Sequence, residues 1–339
     1  MPTRPGKARR AVGAWVGAAA ALPAVAGLGA RYLSTTIAPL IDLAAVAPIL
    51  MTGAVVAVIA FWFARLRVPA GLAVALVLVV ATTQAPLFLV DARPDALTAV
   101  PLVVLQANLM VGHTDPAAVV ALVRDNDADV LTIEELTQNQ LDGLVIAGLE
   151  RFLPYEAALP AAGAAGTGVW TKHAMTGVSV LAVSTFHSIV VRTTTSTGDP
   201  VTVIAAHPRP PIHGRADVWD EELRTLDGQL EARIQETDDP IVVGADLNAT
   251  WDMVAFRSFL RGGFSDAAEL AGAGITATYP TDKKVFGVTA PPILAIDHVL
   301  VRGADVASVR TVDLPGSDHR GLLAKVLVPT GAVAIRVGS

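Results

Sequence analysis

Gly244-Ala245-Asp246-Leu247-Asn248 follows the apolar residues Ile241-Val242-Val243, and Ser317-Asp318-His319 leads into the apolar run Gly321–Val328. Both place acceptor-rich side chains at the end of a strand-like segment. Asp246 and Asn248 stand two apart, so extended backbone carries them on one face. By itself Asp-Leu-Asn at a strand end reads as a turn, because Asp and Asn side chains satisfy nearby backbone groups there. Further out, three more strand ends share this character: Ile296-Asp297-His298, Ile133-Glu134-Glu135 and Leu105-Gln106-Ala107-Asn108. Five such ends in one chain point to a metal-assisted hydrolytic site.

The surrounding pattern is that of one α/β domain. Leu102–Met110, Val130–Leu136, Val201–Ala206, Ile241–Gly244, Leu294–Val301 and Gly321–Val328 are short, rich in Val, Ile and Leu, and bounded by turn residues, as buried strands are. Asp115-Pro116 reads as an N-cap and first-turn proline before an apolar helical face on Ala117, Val120, Leu122 and Val123. Trp219, Leu223, Leu226 and Leu230 recur at helical spacing on a charged background, which predicts a surface helix packed on a sheet. Ala157–Gly168 reads as a small Ala/Gly-rich loop.

The first 95 residues are different. Ala11–Ala30, Leu43–Ala64 and Pro69–Val90 are apolar, free of charged residues and of membrane-spanning length. They predict three transmembrane helices at about 11–30, 43–64 and 69–90; whether the first is cleaved, with Arg9 and Arg10 as its basic flank, is left open. None carries the ionisable residue that marks an ion path, so their reading is a membrane anchor (1–95) for a catalytic domain (96–330) with a short C-terminal tail (331–339). Arg4, Lys7, Arg9 and Arg10 precede the first stretch, and Arg65 and Arg67 lie between the second and third. Excess Lys and Arg mark the cytoplasmic side, which predicts a multi-pass protein of the cell membrane with its N-terminus cytoplasmic and everything after Val90 extracytoplasmic.

Charge narrows the partners. The chain has 25 Lys and Arg against 31 Asp and Glu; the first hundred residues hold 8 and 3, leaving 17 against 28 and a net of −11 for the rest. Such a domain lacks the basic footprint of a strong nucleic-acid binder. There is no cysteine, hence no disulfide.

Taken in order, Gln106-Ala107-Asn108, Leu131-Thr132-Ile133-Glu134-Glu135, Ala206-His207-Pro208, Gly244-Ala245-Asp246-Leu247-Asn248, Ile296-Asp297-His298 and Ser317-Asp318-His319 resemble the endonuclease/exonuclease/phosphatase superfamily, the deoxyribonuclease-I-like fold. The resemblance runs from about Val100 to Val328. It implies a four-layer α/β sandwich of two facing β-sheets flanked by helices, and phosphoester hydrolysis dependent on Mg2+ or Mn2+.

It also implies roles. Glu135 and Asp318 contact the metal, and Asn108 orients the metal or phosphate ligands. In the family's pattern a Leu-Gln pair precedes the metal glutamate, whereas here Ile133-Glu134 stand before Glu135; strand alternation turns the two acids to opposite sides, which favours Glu135 for the site. Asp246 orients or deprotonates the attacking water and Asn248 donates to a phosphate oxygen. His319 pairs with Asp297, whose carboxylate fixes its tautomer and raises its pKa. Asp246 and His319 both remain candidates for the base. His207 corresponds to the position that contacts the scissile phosphate, and the Pro208-Arg209-Pro210-Pro211 after it departs from the usual pattern. Tyr155 and Arg209 are candidates for substrate binding. His113, His173, His187, His213 and His298 carry no motif and read mostly as surface or packing residues.

These expectations describe a membrane-tethered phosphoesterase whose substrate is a nucleic acid, a phospholipid or sphingolipid headgroup, or a small phosphate ester, with no protein partner implied. Its alternative is a non-catalytic extracytoplasmic binding or sensor domain, which would have no need for the whole set of polar residues.

Overall fold

The computed structural model describes residues 6–90, 99–183, 186–212, 214–285 and 287–331. The expected domain boundary at 95/96, His213 and nearly all of the 331–339 tail lie outside the described residues. The chain forms two compact units, Met1–Pro86 with Trp251–Val254, and Leu87–Thr250 with Ala255–Ser339.

The first unit holds α1 (Lys7–Ala30), α2 (Ala38–Ala45), α3 (Ala47–Met51), α4 (Gly53–Phe63) and α5 (Arg67–Gln84). Lys7–Ala30 and Arg67–Leu87 are each long and apolar enough to cross a membrane, whereas the expected middle span is a pair of helical segments bent by 63°. Two spans are therefore present by length, and three only if the bent pair counts as one. Val46, at φ −96° and ψ 10°, leaves the helical region just before the Ala47-Pro48 start of α3. Proline lacks the N–H that would continue the preceding helix and crowds the residue before it. The third stretch leaves the α-helix at Gln84 and ends in a 3-10 turn over Ala85–Leu87, short of the expected Val90.

Helices α1 and α4 pack through small residues. A Cβ on Gly17 would lie 2.3 Å from the Phe61 ring, and one on Gly13 would lie 2.5 Å from the Ala64 Cβ. Such close approach is what glycine permits, since it has no side chain to keep two helix backbones apart. Trp15, Leu22, Trp62, Val68, Leu72 and Leu78 stay exposed, an apolar exterior compatible with a membrane anchor. Within the same unit Arg31 pairs with Asp252, which also accepts from Gln84 Nε2 at 2.8 Å.

The second unit holds β1 (Ala99–Asn108), α6 (Pro116–Asp125), β2 (Val130–Glu134), α7 (Gln138–Ala147), β3 (Tyr155–Leu159), β4 (Thr167–Thr171), β5 (Gly177–Val180), β6 (Ile189–Thr194), β7 (Pro200–Ala206), α8 (Ala216–Glu236), β8 (Ile241–Asp246), α9 (Val254–Arg261), β9 (Ser265–Asp266), α10 (Ala267–Leu270), β10 (Lys284–Val285), β11 (Val288–Thr289), β12 (Asp297–Arg302), β13 (Asp305–Asp313) and β14 (Arg320–Pro329). One six-stranded sheet runs β13-β14-β1-β2-β4-β3, the other β5-β6-β7-β8-β12-β9, and β10-β11 is a separate hairpin. The parallel pairs are β1/β2 and β7/β8. Each is bridged by a helix, α6 in one and α8 in the other, because parallel neighbours need a long crossover.

The two mixed sheets, flanked by helices, agree with the expected sandwich. Outside the first sheet, Leu105, Leu131 and Ile133 pack with Val119, Val120, Val123 and Leu144 of α6 and α7. Asp115 caps α6, accepting from Ala117 N at 3.0 Å, and α8 buries Trp219, Leu223, Leu226 and Leu230, as read from sequence. Strands β1 and β2 face β8, and the approach is close. A Cβ on Gly244 would meet Thr132 Oγ1 at 2.2 Å, so glycine is the residue that fits there. The expected loop Ala157–Gly168 is shorter than read, since β3 continues to Leu159 and β4 begins at Thr167.

Candidate active site

The register of three strand pairs gathers the polar residues. Asn108 lies beside Glu134 in the β1/β2 pair, and Asp246 lies opposite Asp297 in the β8/β12 pair. His319 immediately precedes β14, whose Leu322 pairs with Gln106 of β1. Each side chain therefore sits at the same end of the two sheets.

Asp246 is at the centre of the contacts. Its Oδ2 accepts from Asn108 Nδ2 at 2.9 Å and lies 3.5 Å from His207 Nε2 and 3.8 Å from His319 Nε2. Its Oδ1 accepts from the Asn248 backbone N–H at 2.9 Å. Burial raises its pKa and Asp297 adds to that, while His319 and His207 oppose.

Asp297 is wholly buried between two partners. Gln106 Nε2 donates to Oδ1 at 2.8 Å, and His319 Nδ1 lies 2.8 Å from Oδ2. Burial works against its charge, yet His319 and the hydrogen bonds from His319, Thr278 and Gln106 hold its pKa below the usual carboxylate value. For His319, burial disfavours the cation, but Asp297, Asp246 and Asp318 outweigh it and raise its pKa to about 10. The ring also packs against Tyr279, centroids 4.8 Å apart, and its backbone N–H donates to Ser317 Oγ at 3.0 Å.

His207 and Asn248 form the opposite wall. His207 Nδ1 lies 3.2 Å from the Ala164 carbonyl, so that nitrogen donates and Nε2 faces Asn248 Nδ2 at 3.4 Å. Asn248 Nδ2 also donates to the Pro208 carbonyl at 3.1 Å.

The two neighbouring acids correct the strand-alternation argument. Glu134 is fully buried inside the cluster, where its Oε2 accepts from Gln106 Nε2 at 2.8 Å and its Oε1 has no hydrogen-bond partner. Burial first, then Asp297, Asp246 and Glu135, push its pKa well up. Glu135 lies beyond β2 with φ at +57°, so period-two alternation does not extend to it. Its charge also bears on Asp318, whose pKa is raised mainly by burial. Asp318 Oδ1 stands 4.0 Å from His319 Nε2.

Of two other expected residues, Arg209 borders the cluster through Phe186, whose ring lies 5.2 Å from that of His207. Arg209 pairs with buried Glu222 through Nε at 2.9 Å and stacks 5.6 Å from the Phe186 centroid. Tyr155 begins the edge strand β3 and is 41% exposed, and among the described residues no hydrogen bond or ring contact joins it to the cluster.

Sequence reasoning missed three contributors. Gln106 joins Glu134 to Asp297, a link between two strands of opposite sheets that no local pattern announces. Glu134 was set aside by alternation, and Tyr279 lies in an irregular segment with no motif around it.

A divalent cation suits this donor set. Ligand-type atoms of Asp246, Asp297 and His319 lie within 4.8 Å of one another, and with His319 protonated the carboxylate oxygens are the donors. Glu135, Asp318 and the second lone pair of Asn108 Oδ1, whose first accepts from Met110 N at 2.9 Å, add oxygen donors. Among the described residues no Lys or Arg is paired with Glu134, Glu135, Asp246, Asp297 or Asp318, and three of these five, Glu134, Asp246 and Asp318, have raised pKa values. Uncompensated buried carboxylates and an unpartnered Glu134 Oε1 are what a hard dication relieves.

Residues 105–319 match the pattern of the Endonuclease/Exonuclease/phosphatase family. No curated protein matches the sequence. Among solved structures, an endonuclease/exonuclease/phosphatase family protein from Bacteroides thetaiotaomicron is 13% identical, covering 68% of this chain and 99% of its own with a TM-score of 0.54. D. rerio TDP2 complexed with a single-strand DNA product is 16% identical, covering 67% and 98% with a TM-score of 0.55. A mannosyl-6-phosphatase from Bacteroides thetaiotaomicron is 13% identical, covering 66% and 99% with a TM-score of 0.53. At these identities the likeness is one of fold.

Proposed function

As this chain belongs to the endonuclease/exonuclease/phosphatase family, we propose that it is a phosphoester hydrolase dependent on Mg2+ or Mn2+ and carried on a membrane anchor. The observation that carries the reading is the convergence of Asp246, Asp297 and His319 from separate strand ends into a carboxylate-rich cluster. A bound dication would polarise the phosphoryl oxygens and offset their charge. The chain's own groups do the rest. His319, held through Nδ1 by Asp297 and facing Asp246 and Asp318 through Nε2, keeps its proton and serves as a cation and acid on the phosphoryl group. Asp246 is then the group that orients the water and takes its proton. On the facing wall Asn248, whose 3.4 Å contact to His207 Nε2 is long, keeps an amide hydrogen for a phosphate oxygen with His207 as its buttress, and Glu135 and Asp318, braced by Asn108, would hold the metal.

Members of this fold act on different esters: the TDP2 relative carries a DNA product, and another is a mannosyl-6-phosphatase. The net acidity of the domain and its membrane tether favour a lipid headgroup or small phosphate ester over a nucleic acid. The basic flanks of the apolar stretches support a cytoplasmic N-terminus and an extracytoplasmic catalytic domain.

The test is hydrolysis by the full chain, reconstituted in liposomes with Mg2+ or Mn2+, of plasmid DNA, sphingomyelin, phosphoinositides and bis(4-nitrophenyl) phosphate. At least one is expected to be cleaved, with activity lost in EDTA and on Asp246→Ala or His319→Ala. Cleavage of none, or full activity in EDTA, would overturn the reading.

A further inference from the structure

A second buried histidine lies behind the reacting groups and takes no part in the chemistry above. His298 follows Asp297 on β12, so its side chain leaves the opposite face of the strand. Its Nδ1 lies 3.0 Å from Asp266 Oδ2 and its Nε2 lies 2.9 Å from the Ala249 carbonyl oxygen. Both partners only accept, so both ring nitrogens donate and the ring has no lone pair left for a metal or a proton. Phe256 closes over it with centroids 4.2 Å apart. The counter-charge is held as well, because Asp266 Oδ1 accepts from Ala268 N at 2.9 Å as the cap of α10.

The backbone gripped by this ring is the residue immediately after Asn248. Asn248 has φ at +50°, a left-handed conformation that Asn tolerates better than other non-glycine residues but does not prefer. That conformation directs its amide to the Pro208 carbonyl and to His207 Nε2. The peptide on its N-terminal side is tied to Asp246 Oδ1, and the carbonyl beyond it is tied to His298. We infer that His298, with Asp266 as its counter-ion, is a positioning residue that locks the Ala249 carbonyl and so holds the Asn248 amide in the cleft. The inference rests on the hydrolase reading for the role of Asn248 and on geometry for the clamp itself.

Coupling between the two positions tests it. In the full chain, His298→Leu is expected to lower kcat roughly 10- to 100-fold with KM little changed, the usual scale for a slightly misplaced group. His298→Gln, which keeps one donor, should recover part of that loss. In an Asn248→Ala background His298→Leu should cost less than about 2-fold more, because the group it positions is already gone. An equal loss in both backgrounds would overturn the proposal and make His298 a general stabiliser. Should His298→Leu not fold, Asp266→Asn removes the counter-charge and must show the same coupling. A readout independent of turnover is the side-chain amide signal of Asn248 in 15N-labelled protein. It should shift in His298→Gln while that of Asn108 stays in place. An unmoved Asn248 signal sinks the clamp even if no hydrolysis is found, whereas a shifted signal in an inactive protein sinks the hydrolase reading alone.

Discussion

His319 Nδ1 and Asp297 Oδ2 lie 2.8 Å apart, with the carboxylate wholly buried and its other oxygen already taken by Gln106. That pairing leaves the imidazole one orientation, with Nε2 turned toward Asp246 and Asp318. Asp297→Asn keeps the shape but turns an acceptor into an amide that can donate, so the ring loses its tautomer and its charge partner. kcat is expected to fall by roughly 10²- to 10⁴-fold with a smaller change in KM. Steady-state kinetics on bis(4-nitrophenyl) phosphate would check it, and a loss confined to KM would contradict the role given to Asp297.

Stability of the metal-free protein should fall as pH rises. His319 has its pKa raised to about 10 in the folded chain against an unfolded value of about 6.5. The stability it contributes is complete below about 6.5 and is lost as pH climbs toward about 10, because the folded state keeps a proton that the unfolded state has released. Buried Glu134 and Asp246, both raised, act in the same direction from the ordinary carboxylate range upward. Melting temperature in EDTA is expected to decline from neutral to alkaline pH, and less steeply in His319→Gln. Identical slopes in the two proteins would count against the assignment.

Glu134→Gln should separate folding from metal binding. It replaces a carboxyl whose ionisation burial, Asp297 and Asp246 all oppose, while keeping an acceptor for Gln106. The metal-free variant is expected to melt higher, by about 2–4 °C for each kcal/mol of relieved repulsion. Its Mn2+ affinity should drop by roughly 10- to 100-fold, the range for groups that support a metal's ligands. Calorimetry would measure both, and a lower melting temperature would show that the charge is compensated in the folded chain.

Gly244→Ala probes the contact between the sheets. The added methyl meets Thr132 Oγ1 at 2.2 Å and Thr132 Cβ at 3.1 Å, with both strands fully buried. A loss of about 1–3 kcal/mol is expected, as for overpacked cores. Thr132→Ala should restore part of it by removing the nearest atom, and independent, additive effects would argue against the contact.

Topology is open to direct measurement. With the basic residues Arg4, Lys7, Arg9, Arg10, Arg65 and Arg67 held inside, a fusion at about residue 95 should be active with alkaline phosphatase and dark with a fluorescent protein that matures only in the cytoplasm. The reverse pattern would place the catalytic domain inside. It would also mean that the bent segment Ala38–Phe63 does not cross the membrane as one span, an alternative its 63° break leaves visible.

Asn108, His207, Asp246, Asn248, Asp297 and His319 were legible in the sequence, and the structure joins them through direct contacts. Their chemistry explains why: several strand ends carry acceptors where only turns would otherwise ask for them, and that surplus is visible without coordinates. The contact of Glu134 with Gln106 was not legible, because period-two reasoning assumes that a strand continues, and β2 stops before Glu135 turns into the left-handed region. The apolar N-terminal helices were legible as composition, but the form of the middle stretch was not, since apolar content is blind to the break that Pro48 imposes.

The sequence by itself determined the α/β class, the buried strands β1, β2, β7, β8, β12 and β14, the capped helix α6 and the apolar N-terminal stretches, because periodicity, capping and span length are local properties of the chain. Tertiary structure alone decided that Asp246 faces Asp297, that Gln106 bridges two carboxylates from opposite sheets, and that His298 reaches back to the carbonyl after Asn248. Those links join residues up to 191 positions apart, and strand pairing and sheet stacking create them. The same is true of charge. A carboxylate's identity is written in the chain, but whether it is ionised depends on burial and on which neighbours the fold brings within a few ångströms.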